Sequence, residues 1–155
     1  MRYYIDGYNL FFYLFESHDP FETKRKEFIN FLIKNLSHIK EDVLIIFDGK
    51  SDDIEILSIP NTHIRIVFTK NNLSADNFIL DEVKYFIKKE QIYVITNDNA
   101  IKTESNHLGA RTIKLSSFIK RLTKQINQKN ENQKPNQDSD AELSRLKNIF
   151  IKKLK

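Results

Sequence analysis

The sequence predicts an α/β fold with a central, mostly parallel five-stranded sheet. Short apolar runs rich in Ile, Val, Tyr and Phe alternate with stretches whose apolar residues recur at helical spacing, the pattern of successive βαβ units. At 155 residues and 40% hydrophobic content, the chain has material for one substantial core plus an appendage. A third observation concerns where elements begin and end. Asp6, Asp48 and Asp98 each follow an apolar run, and Asp76 opens a helical one.

The first strand is expected over residues 2–6. Asn9 is placed to cap a short helix through residue 17, which His18-Asp19-Pro20 breaks. A longer helix over 21–37 carries Phe21, Phe28, Ile29, Leu32, Ile33 and Leu36 on one stripe. The second strand is Val43-Leu44-Ile45-Ile46-Phe47-Asp48. A polar loop, Gly49-Lys50-Ser51-Asp52-Asp53, leads to a weak run over 54–59 that Pro60 stops and that is not counted as a strand. The third strand, 63–69, alternates Ile64, Ile66 and Phe68 with polar or smaller residues. Ser74 caps a helix through residue 89 with Phe78, Ile79, Val83, Phe86 and Ile87 at helical spacing. The fourth strand is 92–96, followed by a short helix to residue 106 and a turn at Gly109. The fifth is 112–115, and Ser116 starts a final core helix to Gln125.

Residues 126–140 change to Gln, Asn and Lys and read as a polar linker. Residues 141–155 set Leu143, Leu146, Ile149, Phe150 and Leu154 at helical spacing among lysines. So small an amphipathic helix has no core of its own and must dock on the domain, a partner or RNA. The expected organisation is thus a domain over 1–125, a linker over 126–140 and a basic helix over 141–155. Charge follows the same division. Residues 1–122 balance 17 Lys/Arg against 17 Asp/Glu, whereas 123–155 carry 8 against 4, so the formal +4 lies in the tail. A basic tail attracts nucleic acid or another acidic partner; a solvated lysine face is the simpler alternative.

Several function classes are excluded. Cysteine is absent, which removes disulfides, thiol nucleophiles and thiolate metal sites. No apolar run approaches the roughly 20 residues that span a bilayer. A strand within two residues of Met1 leaves no room for a signal peptide, so a cytoplasmic protein without a membrane partner is expected. With only three glycines there is no Gly-rich phosphate loop. The four histidines lack ligand spacing, and Ser74 and Ser116 lack a Ser-His-Asp setting. A receiver domain would need an acidic pair after the first strand, which Asp6-Gly7 does not supply.

Taken singly, each aspartate is explained by turn or cap chemistry. Together they say more. The strands of a parallel sheet end on one edge, where open α/β folds place their ligands. Carboxylates collected there repel one another unless a cation neutralises them, which suggests a divalent metal site.

The ordered segments Tyr4-Ile5-Asp6-Gly7-Tyr8-Asn9-Leu10, Ile46-Phe47-Asp48-Gly49, Val67-Phe68-Thr69-Lys70 with Ser74-Ala75-Asp76, and Val94-Ile95-Thr96-Asn97-Asp98 resemble NYN domains of the PIN-like ribonuclease superfamily. Leu108-Gly109-Ala110-Arg111 and Leu115-Ser116-Ser117-Phe118 resemble the end of its small bacterial YacP-like branch. The resemblance covers roughly residues 2–122 and implies a three-layer α/β/α fold. It also implies Mg²⁺ or Mn²⁺ held by the aspartates, endonucleolytic cleavage of RNA, and action at ribosomes on translated messages. The chain departs from the family at Asn77 and Leu80, where further acids often stand; Asp81 and Glu82 lie off the face of Asp76.

On this reading Asp6 and Asp98 are direct metal ligands. Asp48 and Asp76 hold a second ion, act through water, or orient the nucleophile. Asn9 and Asn97 position phosphate or water, and Lys50, Lys70, Lys102 and Arg111 border the cleft as RNA contacts. Tyr8 is the one aromatic assigned to base stacking. The alternative is a catalytically silent RNA- or ribosome-binding module on the same fold.

Overall fold

The computed structural model describes residues 1–14 and 21–130. Six strands form one sheet: β1 (Arg2–Asp6), β2 (Asp42–Phe47), β3 (Glu55–Ser58), β4 (Ile64–Phe68), β5 (Ile92–Ile95) and β6 (Arg111–Ile113). Their order across the sheet is β3-β4-β2-β1-β5-β6, and all pairings are parallel except β3 with β4. Among the described residues four α-helices connect them, α1 (Gly7–Leu14), α2 (Phe21–Leu36), α3 (Ala75–Tyr85) and α4 (Asn99–His107), and α5 (Leu115–Asn130) follows the last strand.

Two apolar clusters make the layers. On one face of the sheet Ile5, Ile45, Phe47, Ile66 and Ile95 pack against Phe11 of α1, Phe28 and Leu32 of α2, and Phe118 of α5. On the other, Tyr4, Leu44, Ile46, Val67 and Val94 meet Ile79 and Val83 of α3 and Ile101 of α4. Alternate residues of one strand serve opposite faces. This explains why Val43-Leu44-Ile45-Ile46-Phe47 is apolar throughout: β2 is buried on both sides, as an interior parallel strand must be. The expected three-layer α/β/α architecture is present, with six strands in place of five.

The additional strand is the weak run before Pro60. All four residues of β3 are exposed and it lies at the sheet edge, so one-sided burial never imprinted an apolar alternation on it. Three helices also differ from expectation in their limits. Helix α1 starts at Gly7, because Asp6 and not Asn9 caps it: the Asn9 amide donates to Asp6 Oδ1 at 3.1 Å. Helix α3 stops at Tyr85, where Phe86 turns extended (ψ 134°) and lies under the Arg2 guanidinium. Ile87, expected on the buried stripe, is 95% exposed. Helix α5 begins at Leu115 and runs to Asn130, five residues into the expected linker, since Gln, Asn and Lys do not break a helix already started. The helix expected over 141–155 lies outside the described residues.

Candidate active site

The parallel order places a switch point between β1 and β5: the chain moves to one side of β1 through α1 and α2, and to the other through α3. Crevices beyond the carboxyl ends of strands at such a point are where open α/β folds bind ligands. Asp6 ends β1 there, Asp48 follows β2 on one side, and Thr96 follows β5 on the other.

Two glycines bring the strand ends close to their neighbours. A side chain at Gly7 would meet the Phe47 ring at 2.6 Å, and one at Gly49 would lie 1.7 Å from the Thr69 carbonyl oxygen. The Asp-Gly pairs are therefore required for close approach, beyond any preference for a turn. Two buried hydroxyls fix the loops further. Thr69 Oγ1 accepts from the Gly49 amide at 3.2 Å. Thr96 Oγ1 accepts from the Asp98 amide at 3.0 Å and from Asn9 Nδ2 at 3.2 Å. The sequence marks neither threonine as a site residue; the only signal is that each directly follows an apolar run.

Two aspartates act on a third, Asp6. The Asp6 carboxyl is pushed up to about 7, first by burial, then by a hydrogen bond to the Asp76 side chain and by the charges of Asp76 and Asp48; the Asn9 amide opposes the shift. Like charges held together disfavour joint ionisation. Asp76 lies in the first turn of α3, and Asp48 is tied to the same helix start through the Ala75 amide, which donates to its Oδ1 at 2.7 Å. Asp48 and Asp76 are thus two carboxylates at one helix N-terminus, where the helix dipole favours negative charge.

Asp98 is placed differently. It caps α4, its Oδ1 accepting from the amides of Ala100 at 2.8 Å and Ile101 at 3.2 Å, and its charge does not figure among those acting on Asp6. Asn97 is likewise a cap, accepting at Oδ1 from the Leu115 amide at the start of α5. Asn9 faces the site edge through its bond to Thr96. Lys50 lines a cavity beside Asp48, and Lys70 is exposed just past β4. Arg111 opens β6 at the level of Tyr3 and Tyr93, and its guanidinium donates to the Tyr93 hydroxyl. It stands at the opposite end of the strands from the aspartates.

The donor set is all oxygen, which suits a hard divalent ion such as Mg²⁺ or Mn²⁺. Among the described residues no three acidic or imidazole side chains enclose a metal position. Mg²⁺ does not require such a cage, since it commonly takes one or two carboxylates and completes its shell with water and phosphate. Asp6 and Asp76 would match that number, with the charge of Asp48 acting on Asp6 from nearby.

The sheet is doubly wound and gathers carboxylates past its central strands, where open α/β folds bind ligands. The sequence matches the YacP-like NYN domain over residues 3–155, and the chain belongs to that family of nucleases. Its fold is similar to that of Rae1 (YacP) from Bacillus subtilis, at 20% identity, a TM-score of 0.62, and coverage of 99% of this chain and 84% of the other. A W164L mutant of the same protein matches with a TM-score of 0.63 at 20% identity, covering 84% and 79%. No curated protein matches the sequence. Among the described residues no helix is long and apolar enough to cross a membrane.

Proposed function

We propose that the chain is a metal-dependent endoribonuclease that hydrolyses RNA phosphodiester bonds. The observation that carries this reading is the contact of Asp6 with Asp76 under the charge of Asp48, at the switch point of a nuclease-family fold. Asp6 and Asp76 would hold Mg²⁺ or Mn²⁺, with Asp48 supporting it. When bound, the ion would polarise the phosphate and ease deprotonation of an attacking water.

The chain's own residues do the remaining work. Burial and the neighbouring carboxylates raise the Asp6 carboxyl, so ion binding there would be coupled to release of its proton. The bond from Ala75 to Asp48 fixes one carboxylate on the α3 start. Asn9, held by Thr96, can present its amide to phosphate at the cleft edge. Asp98 serves first as the α4 cap that sets the loop after β5. Membership of the YacP-like branch supports ribosome-associated messages as substrates and the cytoplasm as the site of action.

The test is cleavage of RNA by purified protein with Mg²⁺ or Mn²⁺, compared with Asp6→Asn checked for folding. Loss of cleavage in the variant supports the reading; equal cleavage assigns the activity to another site or a contaminant. The second reading, a catalytically silent RNA- or ribosome-binding module, draws on Asp98 being committed to a cap. It expects ribosome co-sedimentation that survives loss of the aspartates, with no cleavage under either metal.

A further inference from the structure

A cavity of ≈ 340 Å³ opens beside the carboxylate cluster, with Asp48 in its wall. The lining includes Tyr8 from α1, Arg25 from α2, Lys50 and Ser51 from the loop after β2, Glu55 from β3 and Phe68 from β4. Its volume falls at the small end of ligand pockets, roughly 300–1,000 Å³, which admits one nucleotide and excludes a duplex.

The chemistry of the walls is sorted by type. The Arg25 guanidinium lies 3.8 Å from the centre of the Phe68 ring. A guanidinium stacked by its face keeps its planar N–H edge for a phosphate, a geometry that lysine cannot reproduce. Lys50 adds a second cation. The Tyr8 ring stands edge-on to Phe47 at 5.4 Å and stacks on Phe12, 6.5 Å away and 63% exposed, so an aromatic surface continues out of the cavity along α1. Aromatic faces of this kind bind unpaired bases whatever their identity.

We propose that this cavity is a subsite for a single unpaired nucleotide of an RNA strand adjoining the scissile bond, with Arg25 and Lys50 holding phosphate and Tyr8 stacking the base. Glu55, like Asp48 and Ser51 in the same lining, can accept from a base amino or imino donor. The subsite rests on the endoribonuclease reading for its relation to the cut bond, but its occupancy does not require cleavage.

Binding is therefore measured by fluorescence anisotropy in EDTA, where nothing is cut, using a short single-stranded oligoribonucleotide, its duplex, and a free nucleoside 5′-monophosphate as competitor. The single strand should bind more tightly than the duplex or the mononucleotide. Arg25→Gln should weaken it roughly tenfold and lower the slope of log affinity against log salt by about 0.7, the contribution of one phosphate contact on a single strand. Tyr8→Leu should weaken it about as much, whereas Tyr8→Phe should bind as the wild type does. If Arg25→Gln does not fold, Arg25→Lys replaces it and should recover the charge but only part of the affinity. Wild-type binding by both Arg25 variants and Tyr8→Leu would overturn the subsite, as would equal affinity for duplex or for free mononucleotide. A protein that shows the expected binding pattern but cuts no RNA with either metal would end the nuclease reading and leave the subsite standing.

Discussion

The amide of Ala75 donates to Oδ1 of Asp48 across a 2.7 Å bond, joining the end of one strand to the start of a helix 27 positions away. Asp48 is therefore both a helix-terminal acceptor and a member of the carboxylate group. Asp48→Asn keeps an oxygen for Ala75 and should leave stability within about 0.5 kcal/mol. Asp48→Ala leaves that amide unmatched and should cost about 1 kcal/mol, with Ser74 still capping α3. Both should depress cleavage. Urea unfolding beside an RNA cleavage assay separates the two roles.

Gly49 admits no side chain, since a Cβ there would lie 1.7 Å from the Thr69 carbonyl oxygen. Gly49→Ala should force the loops after β2 and β4 apart and destabilise the protein by about 1–3 kcal/mol. A fall in melting temperature measures this, and an unchanged value would mean that the loops relax freely.

The Asp6 carboxyl is raised to about 7 from an ordinary 3.8. A group whose folded pKa exceeds its unfolded value stabilises fully below the unfolded pKa and loses that contribution as pH rises through the folded one. Without divalent ions, stability should fall between about pH 4 and pH 7 on this account. Asp6→Asn lacks the titration, can still accept from Asn9, and should be flatter across that window and more stable than the wild type at pH 8. Thermal unfolding across pH in EDTA provides the check. Steeper loss in the variant would reverse the sign argued here.

Asp98 accepts two amides at the head of α4. Asp98→Asn or Asp98→Ser should preserve stability, while Asp98→Ala should cost roughly 0.5–2 kcal/mol. In cleavage, Asp98→Asn should retain more activity than Asp6→Asn, because Asp98 is not among the charges acting on Asp6. The reverse ranking, with both variants folded, would make Asp98 the primary ligand.

The legible parts of the sequence were those with strong one-face or two-face burial. The β2 run and the Phe28–Leu32–Leu36 stripe of α2 are apolar because both are buried, so pattern and structure coincide. The edge strand β3 escaped because nothing covers its residues and their sequence records no face. At the site, cap and ligand are competing explanations of each aspartate in the sequence. Asp6 and Asp48 meet one amide each through Oδ1 and still act on the shared cluster, so the two roles coexist. That Asp76 lies against Asp6 while Asp98 turns to its own helix depends on the α3 docking, a tertiary fact that strand-end spacing does not encode. Arg25 was not read as a site residue because it belongs to α2, far in sequence from any strand end, and only packing on Phe68 brings it to the cavity.

The central claim is that Asp6, Asp48 and Asp76 form one metal-holding unit, and anomalous diffraction from crystals soaked in Mn²⁺ tests it most directly. Manganese density at Asp6 and Asp76, with Asp48 beside it, is the predicted result. Manganese bound at Asp98 alone, or nowhere near Asp6 at concentrations that support RNA cleavage, would contradict it.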